Sequence, residues 1–66
     1  MANIVLKRSK HSDRHYAVLV DGKEVGKARR EIGASMYTGS ITVEGHAHYV
    51  YGLNQRDLIA HVRMYI

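Results

Sequence analysis

The chain has 66 residues, a net charge of +4, 45% hydrophobic residues and no Cys, Trp or Phe. That length fits a single domain over 1–66, and the missing cysteines exclude disulfides and thiolate metal sites and agree with a cytoplasmic setting. Below roughly 70–80 residues an unstapled core rarely supplies more than about 3–5 kcal/mol, so marginal stability or a partner that completes the burial is expected.

Asn3–Lys7 reads as a first strand, rich in aliphatic and β-branched residues. Its apolar run Ile4-Val5-Leu6 is too short for a signal peptide, and nowhere does the chain approach the ~20 apolar residues of a membrane helix. Arg8–Arg14 is a charged connection. His15–Val20 and Lys23–Arg30 form a hairpin around Asp21-Gly22, a pair that accepts the positive φ angles of a type I′ turn. Uninterrupted pairing from that turn sets Val20 against Lys23, Val18 against Val25 and Tyr16 against Lys27. One face then carries Tyr16, Val18, Val20, Lys23, Val25, Lys27 and Arg29. The other carries Ala17, Leu19, Glu24, Gly26 and Ala28, and its small residues suit close approach of a helix.

Ile32–Ser40, with Gly33 and Gly39 and no clear period, reads as a loop around Met36-Tyr37. Ile41–Val43 and His46–Tyr51 are two further strands joined by Glu44-Gly45. The last element is an amphipathic helix. Asn54 supplies the N-cap, Asp57 sits in the positive first turn, and Leu53 with Leu58 has the spacing of a hydrophobic staple. Leu58, Ile59, Val62 and Ile66 share one face with Tyr65 at its edge. The expected fold is α+β, a small antiparallel sheet of four to five strands with one C-terminal helix packed on one face.

Chemistry-bearing patterns are sparse. His46 and His48 stand two apart on a strand and so point the same way, and His11, His15 or His61 would have to supply a third metal ligand. A metal site needs three or four convergent ligands, so these are read as surface or interface histidines and no cofactor is expected. The serines lie in no nucleophile elbow, and Gly33–Gly39 lacks the Lys-Ser/Thr ending of a phosphate loop. A chain this short seldom encloses the ~300 Å³ of a small-molecule site, so the expected activity is non-enzymatic binding.

Charge gives the partner class. Residues 1–30 carry eight cations against three acids, +5, and residues 31–66 carry two against three, −1. A one-sided positive field favours nucleic acid or an acidic protein surface. Tyr16, Lys23, Lys27 and Arg29, extended by Arg8 and Lys10, offer a ring for stacking and cations for phosphates. The Val20-Asp21-Gly22-Lys23 hairpin followed later by a capped helix is similar to the sheet-plus-helix DNA-binding domains at the N-terminus of some phage and transposon integrases. That resemblance implies a sheet that enters the major groove. It covers less than half the chain, and the strand pair at Ile41–Tyr51 departs from it.

The competing expectation is a protein-interaction module using Tyr49, Tyr51, His46 and His48. It would be a phage-type inhibitor seated in the nucleic-acid channel of a host defence complex, a basic accessory protein on an acidic partner, or a homodimer.

Overall fold

The computed structural model of the chain describes residues 2–11, 13–30, 33 and 35–66. Five strands, β1 (Ile4–Arg8), β2 (His15–Val20), β3 (Lys23–Arg30), β4 (Tyr37–Val43) and β5 (His46–Gly52), precede one helix, α1 (Gln55–Arg63). The strands form one antiparallel sheet in the order β1-β2-β3-β4-β5. Sequential order follows from short connections: each strand is hydrogen-bonded to the next.

Two of these connections are tight turns of the expected kind. Asp21 and Gly22 have φ of 52° and 84°, and Glu44 and Gly45 have 52° and 81°. Both central residues of each turn are therefore left-handed, which matches the right-handed twist of the flanking strands. The first turn is tied to β1: Asn3 N–H donates to Asp21 Oδ1 at 2.9 Å, and Asp21 N–H donates to the Asn3 carbonyl at 2.8 Å.

The helix touches β5, β4 and β1, and so bridges the two edges of the sheet. Five strands at ~4.8 Å spacing span about 19 Å when flat, whereas nine helical residues span about 13.5 Å. The sheet must curl around the helix for that helix to meet both edges. Ile4, Val18, Ala28, Tyr37, Ile41 and Val50 line the inside of the curl, where Leu58 and Val62 are fully buried against them. Gly52 permits the closest approach: a Cβ there would collide with the backbone at Leu58. Asn54 caps the helix as expected, with extended backbone and its Oδ1 accepting from Asp57 N–H at 2.8 Å.

Four expectations are corrected. The hairpin pairs Val20 with Lys23 and Leu19 with Glu24, but then Val18 with Gly26, Ala17 with Lys27 and Tyr16 with Ala28. Val25 is the extra residue of a β-bulge, and beyond it β3 presents the opposite set of side chains to each face. The physical cause is burial. Uninterrupted pairing would turn Lys27 and Arg29 toward the helix, whereas the bulge places Ala28 there at 3% exposure. The face covered by the helix therefore holds Gly26 and Ala28 but not Ala17 and Leu19. Second, residues 37–40 belong to β4 rather than to a loop, because Tyr37 and Gly39 alternate inward with Ile41; residues 32 and 34 of that expected loop lie outside the described residues. Third, Leu53 is 68% exposed, so the expected staple buries little of its side chain. Fourth, Tyr65 rather than Ile66 packs against the core at the end of the helix, since α1 closes with Met64 N–H donating back to the His61 carbonyl. Among the described residues no helix is long and apolar enough to cross a membrane.

Candidate nucleic-acid interface

The convex side of the sheet is left uncovered by the helix. Strand register lays its residues out in two rows. Lys7, Ala17, Lys27, Ser40 and Tyr49 are successive cross-strand partners from one edge of the sheet to the other. One step along the strands, His15, Arg29, Thr38 and Tyr51 form the second row. Side chains in a row share a face because pairing preserves the alternation of the pleat. The first row alternates basic and small side chains before its tyrosine, and the second runs from His15 and Arg29 over Thr38 to its tyrosine. The low middle forms a shallow depression of about 310 Å³ that includes Lys27, Arg29, Thr38, Ser40 and Tyr49.

The two tyrosines of the face are exposed, Tyr49 at 60% and Tyr51 at 49%. Their centroids lie 5.8 Å apart with a 35° tilt, so neither ring stacks flat on the other. Tyr51 is braced from the helix. His61 meets its ring edge-to-face at 4.6 Å and 74°. The same histidine occupies the outer edge of β5: Tyr51 N–H donates to His61 Nδ1 at 3.0 Å, and the Tyr51 carbonyl lies 3.2 Å from that nitrogen. With its proton on Nε2 the ring accepts from the N–H; with a proton on Nδ1 it donates to the carbonyl instead. Tyr65 continues the chain of rings, 5.5 Å from His61 and stacked on His48 at 4.3 Å and 19°. Five aromatic rings therefore wrap the β5 edge from the inside of the curl to the convex face.

The bulge divides the residues expected to act together. Lys27 and Arg29 stand on the convex face. Tyr16 lies inside the curl, paired with Ala28, where its ring packs 5.8 Å from Tyr37. Arg8 is opposite Tyr16 at the end of β1, and Lys23 sits at the hairpin tip opposite Val20, both exposed. Arg8, Lys10 and Tyr16 still meet Lys7 and Lys27 around a recess of about 510 Å³ at the β1–β2 end of the sheet. The second expected set divides as well. Tyr49 and Tyr51 are convex, while His46 and His48 lie on the other side of β5, with His48 held under Tyr65. Among the described residues no three His, Asp or Glu side chains converge as a metal site would require.

Thr38 joins the face without having been singled out in the sequence, and His15, considered there only as a metal ligand, stands beside it. Lys7, a basic residue that extends the cationic track, is placed on this face by its pairing with Ala17.

The Tyr16–Tyr37 pair has its own electrostatics. Burial and a hydroxyl hydrogen bond to Tyr37 push Tyr16 above the usual tyrosine value. Tyr37 is drawn below it, chiefly by the hydrogen bond from Gln55 (Nε2 to Oη, 3.5 Å), with Tyr16 and Arg30 assisting.

No family model, curated protein or solved structure matches this chain.

Proposed function

We propose that the protein is a non-enzymatic module that binds nucleic acid through the convex face of its sheet. The observation that carries this reading is the pair of cross-strand rows, Lys7-Ala17-Lys27-Ser40-Tyr49 and His15-Arg29-Thr38-Tyr51, which align cations and exposed rings on one uncovered surface. Cations at one end engage phosphates, and rings at the other offer flat apolar surfaces to bases. Arg8 and Lys10 extend the basic end around the recess they share with Lys7. The chain's +4 charge is of the sign that draws a polyanion.

Titration of labelled DNA and RNA at low and high salt tests the reading. Binding should fall steeply with salt as counterions are displaced, and Lys27→Ala should reduce the slope of log K against log salt by about 1. Absence of binding to either polymer at low salt would end it.

A second reading, an acidic protein partner, rests on the exposure of Tyr49 and Tyr51 at the β5 edge. It drops His48, whose ring is engaged by Tyr65. A partner of this kind would compete with nucleic acid for the same tyrosines.

A further inference from the structure

We infer that the ligand of the convex face is single-stranded nucleic acid, gripped by unstacked bases on Tyr49 and Tyr51; the inference rests on the nucleic-acid reading above. Three features of the face carry it.

The first is width. The rows run across the strands, so Lys7 and Tyr49 are separated by the whole sheet. Five strands at ~4.8 Å spacing set the two edges about 19 Å apart along the sheet, whereas the major groove of B-DNA is about 12 Å wide and admits a helix or a two-stranded ribbon. Lys7 and Tyr49, projecting from opposite edges of the convex face, cannot enter one groove together. A flexible strand laid over the outside of the sheet reaches both.

The second is pitch. The Tyr49 and Tyr51 rings are 5.8 Å apart, while stacked bases of a duplex strand rise about 3.4 Å each. Consecutive bases can occupy both rings only if they are pulled out of their stack, which single strands allow and duplexes resist. The cations repeat at the matching interval. Lys27 and Arg29 are two residues apart on β3, as Tyr49 and Tyr51 are on β5, and the two strands run in the same direction with Lys27 in the Tyr49 row and Arg29 in the Tyr51 row. The face thus repeats one unit, a cation, a small polar side chain and a ring, for two successive nucleotides. Ser40 and Thr38 stand between cation and ring in each unit.

The third is support. Exposed rings that stack on bases must be held in place before the ligand arrives. His61 does this for Tyr51, touching both its ring and its backbone, and is itself backed by Tyr65. His61 is a positioning residue that meets no ligand in this arrangement.

The test is fluorescence anisotropy at one fixed low salt concentration, with labelled oligothymidine, oligouridine and a mixed-sequence duplex of equal length, and inorganic polyphosphate as a competitor that carries charge without bases. Either single strand is expected to bind more tightly than the duplex. Tyr49→Ala and Tyr51→Ala should each weaken single-strand binding by about 5- to 150-fold, and Tyr49→Phe should restore it, because stacking uses the ring and not the hydroxyl. Polyphosphate should compete poorly per charge. If removing the Tyr51 ring disturbs the helix edge and the variant fails to fold, Tyr49→Ala carries the test, since that ring is 60% exposed. Duplex binding equal to or tighter than single-strand binding would overturn the inference while leaving the nucleic-acid reading standing. Indifference of single-strand binding to Tyr49→Ala in a folded protein would overturn it too. Failure to bind any of the three polymers would overturn the parent reading instead.

Discussion

On the inside of the curl, Ile4, Val18, Ile41 and Val50 are each 6% exposed or less; one residue along the same strands, Val5 is 42% exposed and Tyr49 60%. The two faces use the same backbone and the same hydrogen bonds, and they differ only in which alternate residue points each way. One face is selected for volume: aliphatic side chains around a short helix, with Gly26, Ala28 and Gly39 where β3 and β4 curve. The other is left uncovered and carries Lys7, Lys27, Arg29, Tyr49 and Tyr51. A domain this small has one helix to cover one face, and the uncovered one is free to carry function because it carries little of the stability. Substitutions should therefore separate cleanly, costing the fold on one side and binding on the other.

Leu58→Ala should produce the largest effect. Leu58 is fully buried against the sheet, and removing such a side chain costs about 2–5 kcal/mol. That is comparable to the whole stability expected of so small a core, so the variant should lose its cooperative thermal transition. On the convex face Ser40→Ala should stay within about 0.5 kcal/mol, a Tm change of about 2–4 °C. Comparable melting of the two variants would erase the distinction between the faces.

Asn54→Ala asks whether the inner face depends on the helix being well started. Loss of the Asn54 cap on Asp57 N–H should cost about 1 kcal/mol, seen as a Tm lower by about 4–8 °C, with nucleic-acid affinity measured well below that temperature unchanged. A loss of affinity at a temperature where the variant is folded would mean that the helix contributes to the convex face directly.

Deletion of Val25 probes the residue at which the two faces of β3 exchange. Val25 is the one unpaired residue of the β2–β3 ladder, and the pairs on either side, Leu19 with Glu24 and Val18 with Gly26, become adjacent when it is removed. The deletion should therefore straighten the strand while keeping Ala28 inside and Lys27 outside. The expected cost is about 1 kcal/mol for the lost packing of a half-buried valine, with binding retained. Loss of both fold and binding would show that the bulge bends the sheet in a way a straight strand cannot.

That single residue also marks where the sequence stopped being legible. The turn at Asp21-Gly22, the strand limits of β2 and β3, the Glu44-Gly45 turn and the Asn54 cap all follow from local chemistry, because each depends on a few neighbouring residues. The antiparallel sheet with its C-terminal helix follows from those elements. Face assignment in β3 does not, since Lys-Glu-Val-Gly-Lys-Ala-Arg-Arg contains no uninterrupted alternation that buries Val25 and Ala28 together while keeping Lys27 and Arg29 wet. Only a bulge satisfies all four, and nothing within β3 alone demands one. The expected binding set mixed the faces for this reason, joining Tyr16 to Lys27, whereas the tyrosines on the same face as Lys27 and Arg29 are Tyr49 and Tyr51, two strands away. The start of β4 was hidden differently: glycine at 39 suggested a loop, whereas it serves a strand passing close against Lys27 and Ala28.

The smallest effect concerns a ring that belongs to the inner face after all. Tyr37 ionises below the usual 10.0 and Tyr16 above it, with the Tyr16 hydroxyl among the donors that favour the Tyr37 anion. A lowered tyrosine value adds stability that is present above 10.0 and lost as pH falls through the folded value; a raised one removes stability as pH climbs past 10.0. Tyr37 therefore loses the first proton of the pair, and alkaline destabilisation sets in with Tyr16. Tyr16→Phe takes away a donor to the Tyr37 oxygen, so the first tyrosinate signal from this pair in an ultraviolet titration should move to higher pH, and the decline in stability above 10.0 should become shallower. Were Tyr16 on the convex face beside Lys27, its removal would leave the ionisation of Tyr37 untouched and weaken nucleic-acid binding instead, so one variant with two measurements decides which side of the sheet this ring serves.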